Sequence, residues 1–499
     1  MIGQSLFAYV GIRLAIAFLR LICPASFAWV AAFSFYRHPP ISPWIALLAV
    51  PEVVFFFIAR ARKPVVQQRS AYIPDRLSKA ERTELFYHCM QSPLRVLKWF
   101  RTTDPNFIHR ENMIDWLLWA FFDVKSEAVE KEEIVEWRDE IEAYVQQIES
   151  ILGRKFTVGR NPDATPMRLN IDPSGALHKP LLWYIIVAGL DLVTATVLYS
   201  NGFIHHSPQK WFAVVPTRPW SIFSRPSVST HLPYWYRPHR SKTKKPLIFM
   251  HGIGIGLLPY TIWMSEMDPE VGILLVETLP ISTRMTGMSV LPRPIFLEEF
   301  YRITKSLGIK EAVLASHSYG TILAAHILQS QRQARPSRLP TRITGYCYID
   351  PIPFLLHYPD IIYNFLYRQP THANEWLLWF FASVDPDIER ALRKHFFWTE
   401  NVLFRDDLIG ENVAVVLSGE DQVVPSSEVW KYLTGRRSKK TEKAEGGGDD
   451  GPLDDEERWV NEKGDLEVLT YPHADHATIF HSRVKRDGVR QIIERLARQ

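Results

Sequence analysis

The chain has 499 residues, 46% of them hydrophobic and 22% charged, with a formal net charge of +4, which leaves room for more than one domain. So small a charge excess, with no basic patch interleaved with stacking aromatics, argues against a nucleic-acid partner and gives no reason to expect an acidic substrate. Three scattered cysteines, Cys23, Cys89 and Cys347, lack metal-ligand or redox spacing, which argues against a disulfide scaffold and fits a reducing compartment.

Residues 1–63 are the most apolar part. Leu6 to Phe35 carries three apolar runs, and Ile41 to Ala59 forms a second block; each is near the ~20 residues that cross a bilayer as a helix. A cleaved signal peptide would need an uncharged stretch where Arg13 and Arg20 stand. A central charge costs about 2.5–3.5 kcal/mol in a bilayer, so Arg20 must face a partner helix or the first block must lie in the interface; Pro51 and Glu52 weaken the second block similarly. The expected arrangement is a membrane anchor of two transmembrane helices, a hairpin with both ends in the cytosol, because Arg60, Arg62 and Lys63 follow the second block directly. The absence of any N-x-[ST] sequon is compatible with that side.

Residues 64–210 read as a helical region packing on a neighbouring domain or on the membrane. Glu81 to Phe100 shows helical apolar spacing with a break at Pro93, and Ile134, Trp137, Ile141, Tyr144, Ile148 and Ile151 form one stripe ended by Gly153. Pro180 to Tyr199 is long enough to span, but Asp191 lies in its middle, and a span would put the chain segments on its two sides in different compartments. A packed or interfacial helix is expected there.

From 211 onward strands alternate with helical patterns, which predicts an α/β domain with a mostly parallel sheet and helices on both faces. Trp211 to Val215 and Pro233 to Arg237 read as entry strands. Lys245 to Met250 is a strand running into the glycine-rich turn His251, Gly252, Ile253, Gly254, Ile255, Gly256, with a helix expected from Leu257 to Met267. Strand Val271 to Glu277 and helix Arg293 to Leu307 follow. Glu311 to Thr321 (EAVLASHSYGT) is then a buried strand, a sharp turn and a helix start, with small Ser316 and Gly320 flanking Ser318. Such a turn holds its middle serine strained and exposed above the sheet; here Ser replaces the first Gly of G-x-S-x-G. The N–H groups of Ile253 and Tyr319 would form an oxyanion hole. Two strands end in carboxylates: Ile343 to Ile349 before Asp350, and Asn412 to Leu417 before Asp421. Arg436 to Arg458 is a basic block, a glycine run and an acidic block, read as a disordered insert. Leu466 to Tyr471 then leads to His473 and His476.

These motifs resemble the α/β-hydrolase superfamily over roughly 211–499, and within it the membrane-anchored α/β-hydrolase proteins common in fungi. The resemblance implies Ser318 as nucleophile, His476 as general base and Asp421 as the acid that orients it, in the chain order this fold uses. Asp350 is an alternative acid, otherwise a strand-end carboxylate making turn hydrogen bonds; His473 is the alternative base. It also implies a lid at 351–410, a segment rich in aromatics, and an apolar, acyl-bearing ester as substrate. The expected protein is thus a membrane-anchored serine hydrolase of esterase or lipase type. Acyl transfer on the same residues, or a non-catalytic lipid-binding scaffold, is the alternative. No cofactor or metal is expected: there is no P-loop, and His205 and His206 lack partners at ligand spacing.

Overall fold

In the computed structural model, residues 5–35, 43–68, 70, 72–124, 131–334, 339–438 and 456–498 are described. The strands are β1 (Ile204–Ser207), β2 (Arg225–Pro226), β3 (Tyr234–Arg237), β4 (Leu247–Met250), β5 (Ile273–Val276), β6 (Glu311–His317), β7 (Arg342–Ile349), β8 (Val413–Ser418), β9 (Glu457–Val460) and β10 (Leu466–Tyr471). They make one sheet in the order β2-β1-β3-β5-β4-β6-β7-β8-β10-β9. From β5 through β4, β6, β7 and β8 to β10 all pairings are parallel; β3 pairs antiparallel at one side and β9 at the other.

The central strands read as continuous apolar runs because both sheet faces are covered. Side chains alternate between two cores, as a strand's period of two requires. Ile248, Met250, Leu314 and Val415 point into one; Phe249, Leu275, Ala315 and Val416 point into the other. The second is closed by the C-terminal helix Arg483–Arg498 through Val489, Ile492, Ile493 and Leu496.

Before the sheet lie α1 (Leu6–Phe35), α2 (Ala46–Ala61), α3 (Lys63–Gln67), α4 (Lys79–Met90), α5 (Pro93–Leu97), α6 (Arg110–Phe122), α7 (Lys131–Leu152) and α8 (Leu181–Ser200). Within and after it come α9 (Thr261–Ser265), α10 (Arg293–Ser306), α11 (Gly320–Gln333), α12 (Asp360–Ile362), α13 (Ala373–Leu378), α14 (Pro386–Lys394), α15 (Trp398–Asn401) and α16 (Ser426–Thr434). Pro93 ends one helix and opens the next, as its missing N–H favours at a first turn. Helices α4 to α7 share a core with the first sheet face and with the segment between β7 and β8. Trp99 donates Nε1–H to His357 O at 3.3 Å, and Arg95 reaches Asp360 at 3.0 Å and Glu428 at 3.1 Å.

Two helices, α1 and α8, are long and apolar enough to cross a membrane. Helix α2, at 16 residues, is shorter than the expected second span. It packs along α1, with Phe27 edge-on to Phe56 at 5.2 Å, and its buried Glu52 accepts from the first N–H of α8 at 2.7 Å, a carboxylate at the positive end of a helix. Elements on both flanks of α8 pack onto the same sheet. Asp191, the residue that makes a span costly, is buried in a cluster: Arg218 lies at 3.1 Å, Arg284 at 2.6 Å, and Trp220 Nε1–H donates at 2.9 Å. Arg218 also bonds Glu277, which meets His205 at 3.0 Å.

Other expectations change. Trp211 to Val215 forms no strand beyond a bridge from Val215 to Met285; the first sheet strand is Ile204–Ser207 instead, where the two histidines hid the pattern. The helix expected from Leu257 to Met267 is only a 3-10 turn and the short α9. The insert expected at 436–458 falls mostly on 439–455, outside the described residues, while Glu457 and Arg458 belong to β9.

Replacing Asp191 with Ala leaves Arg218 and Arg284 buried beside an uncompensated gap. The expected cost is about 3–5 kcal/mol, read as a lower denaturant midpoint of the full chain in neutral detergent.

Candidate active site

Ser318 sits between β6 and α11 at φ 52°, a conformation unfavourable for a residue with a Cβ and tolerated only where neighbours enforce it. The enforcement is close packing. A Cβ on Gly320 would lie 2.2 Å from Met250 O, and one on Gly252 would lie 2.8 Å from Ser318 Cβ. The elbow and the glycine-rich turn after β4 therefore approach more closely than any other residue type permits. At the first flank, Ser316 is fully buried and its hydroxyl has no partner.

Three loops at the C-terminal ends of β6, β8 and β10 converge. The Ser318 hydroxyl lies 2.9 Å from His476 Nε2, and His476 Nδ1 lies 2.7 Å from Asp421 Oδ2, so the ring donates from Nδ1 and accepts from the serine. Asp421 is held by the N–H groups of Val423 and Val424, which its Oδ1 accepts at 2.7 and 2.9 Å. Its side chain is fully buried. Burial alone disfavours an imidazolium, but the charge and hydrogen bond of Asp421, with Asp350 behind, outweigh it and hold His476 above the ordinary histidine range. Burial also raises Asp421.

Asp350 does not bond His476. It accepts from Ser418 N at 2.9 Å, Ser418 Oγ at 3.1 Å and Ala477 N at 3.0 Å, the strand-end role. His473 is exposed, 3.7 Å from Glu420. Thr478–His481 form a 3-10 turn directly after the His476 loop. Among the described residues, neither the Ile253 nor the Tyr319 N–H has a protein acceptor. His251 braces the turn from below: Nδ1–H donates to Gly252 O at 2.8 Å and Nε2 accepts from Thr278 N at 3.0 Å. Gly254 has φ 142°.

A second network escaped the sequence. Tyr260 accepts from Gly252 N at 3.2 Å and donates to His317 Nδ1 at 2.8 Å; His317 Nε2 then faces Asp350 at 3.5 Å. It ties the glycine-rich turn, the elbow and the His476 loop through residues 260, 317 and 350, whose only sequence signal is that two of them adjoin motifs. The segment between β7 and β8 clamps the same loops. Asn374 donates to Asp475 at 2.7 Å, Asn364 to Val423 O at 3.0 Å and Arg368 to Gln422 O at 2.9 Å.

Two groups place potential metal ligands within 4.8 Å of one another: Asp350, Asp421 and His476, and, unexpected from the sequence, Cys23, Glu52 and His178. In both, the carboxylates already accept protein hydrogen bonds.

Gly320→Ala must push a Cβ into the β4 backbone, so a loss of at least about 1–3 kcal/mol is expected. Ser316→Ala removes only an unpartnered hydroxyl and should change stability by roughly 1 kcal/mol or less. Denaturation midpoints of the two variants test the contrast.

No family model matches the chain, and no curated protein matches it. Among solved structures it is similar to a carboxylesterase from Bacillus subtilis (14% identity, TM-score 0.34, covering 61% of this chain and 96% of that one). It is also similar to a membrane phospholipase A (15%, 0.33, 62% and 96%) and to an α/β hydrolase from a deep-sea metagenome library (15%, 0.35, 52% and 93%). The chain's own features decide the fold: a mostly parallel sheet covered on both faces, a serine elbow between strand and helix, and Ser318, Asp421 and His476 following β6, β8 and β10 in that order. By these the chain has an α/β-hydrolase fold.

Proposed function

We propose that the protein is a membrane-associated serine hydrolase of esterase or lipase type. The observation that carries this is the linear relay from Ser318 through His476 to Asp421, with separations of 2.9 and 2.7 Å. Serine is a weak nucleophile at its own pKa and needs an adjacent base, and the base needs a carboxylate to fix its tautomer and stabilise the imidazolium. Ser318 Oγ attacks an ester carbonyl as its proton passes to His476 Nε2. The oxyanion draws on the N–H groups of Ile253 and Tyr319. His476 then returns the proton to the leaving alcohol, and water, activated by the same nitrogen, releases the acid from Ser318.

The substrate reading rests on the surroundings. A cavity of about 220 Å³ adjoins Tyr319, with Leu279, Pro280, Val290, Leu291, Phe296 and Leu323 in its walls, which suits an acyl chain. The segment at 351–410 acts as lid. It contains two π-helical turns, Tyr363–Tyr367 and Trp379–Ser383, a feature frequent at functional sites. Helix α1 packs on α13, with the Arg13 guanidinium 3.9 Å from the Trp376 ring centre, so the anchor touches the lid. The outward residues of α1, among them Leu14, Phe18 and Leu21, meet the bilayer, and the α1–α2 hairpin anchors the hydrolase on the cytosolic side.

A fluorophosphonate probe should label the full chain in detergent, and Ser318→Ala should abolish labelling and lower turnover by on the order of 10⁶. No labelling of folded protein would overturn the reading. Because the base acts unprotonated and its pKa is held up by Asp421, kcat/KM should rise with pH through a limb above the ordinary histidine range. Asp421→Asn should move that limb to lower pH and cost about 10⁴ in kcat. Long-chain esters should outperform short soluble ones.

A further inference from the structure

We infer that a basic cavity at the end of α2 binds the phosphate headgroup of an anionic lipid. The cavity, about 230 Å³, lies where α2 gives way to α3, against the segment that leads into α8. Arg60, Arg62, Lys63, His178 and Lys179 line it, and no carboxylate does. Arg62 is held in place from outside by Asp387 at 3.0 Å, whose other oxygen accepts from Thr286 N at 2.6 Å and Oγ1 at 2.9 Å. Arg60 and Lys63 have no carboxylate partner among the described residues. Lys179, only 1% exposed, donates to Phe380 O and lies 3.4 Å from the centre of the Phe380 ring. His178 faces Glu52 at 3.5 Å, so the charge that Arg60 and Lys63 bring to this concave site is the part not already met by a carboxylate among the described residues, an attraction for an anion with several acceptor oxygens.

The remaining wall is apolar, from Phe56, Val66, Leu177, Tyr184 and Met285. Immediately before the basic cluster, α2 exposes Val54, Phe57 and Ile58 to 53–59%. An anion with an apolar tail satisfies both halves: the phosphate meets the cations and the first methylenes run along α2. Basic pockets beside membrane helices at the headgroup level take anionic lipids for this reason. Free phosphate shares the headgroup chemistry and lacks the tail.

The test uses the full chain in neutral detergent, titrated calorimetrically with dihexanoyl phosphatidic acid, dihexanoyl phosphatidylcholine and inorganic phosphate. Phosphatidic acid is expected to bind with one site per chain and at least tenfold more tightly than the other two. The surface variant Arg60→Gln/Lys63→Gln should weaken it at least tenfold, and Arg240→Gln/Lys242→Gln, which removes equal charge outside the cavity, less than twofold. Equal binding of phosphatidylcholine would leave only an apolar site and overturn the inference. Equal binding of inorganic phosphate would make it a free-anion site and overturn the lipid. An equal loss in the control variant would reduce it to surface charge. Binding is read without turnover, so the outcome is separate from that of Ser318 labelling.

Discussion

A serine at φ 52° between a buried strand and a helix is the constraint on which the rest of this molecule depends. The strained turn has no stability of its own. It persists because β4 and β7 hydrogen-bond β6 on both sides, because Gly320 lets the new helix graze the β4 backbone, and because Gly252 lets the preceding turn lie against Ser318. Remove the sheet and the serine relaxes; enlarge either glycine and the sheet must move. The hydroxyl's position is thus a property of three strands and two loops.

Charge is arranged with the same tightness. Two buried carboxylates, Asp350 and Asp421, stand near one histidine, and they divide the work by their hydrogen bonds. Asp350 is engaged by Ser418 and Ala477, so it fixes the loops of β8 and β10; Asp421, pinned on one oxygen by its own turn, offers the other to His476. Both charges favour the imidazolium, the species that the proposed reaction would form in its transition state.

Above this layer, contacts run from α1 to the site of Ser318 and His476. Helix α1 stacks Arg13 on Trp376 of α13, and Asn374 of the same helix bonds Asp475, next to His476. A displacement of α1 would be felt at the residue next to His476. Glu52 and Asp191, costly in lipid, are instead the polar joints that fix α2 to α8 and α8 to the sheet, a role available only because both face protein.

Local and periodic features were legible in the sequence alone. Apolar strands, the small residues around Ser318, the glycine turn after β4 and the two strand-end acids are each written in a few adjacent positions, because strand burial and tight turns depend on neighbours in the chain. Read that way, Ile204–Ser207 was featureless and Trp211 to Val215 a strand, since pairing partners decide such short segments. Left open were which acid faces His476, what partners Asp191 in the middle of Pro180 to Tyr199, and what His317 and Tyr260 do. Tertiary contacts settled these, because each depends on residues far apart in the chain: Asp421 meets His476 across 55 positions, and Asp191 finds Arg218 and Arg284 only once α8 has docked.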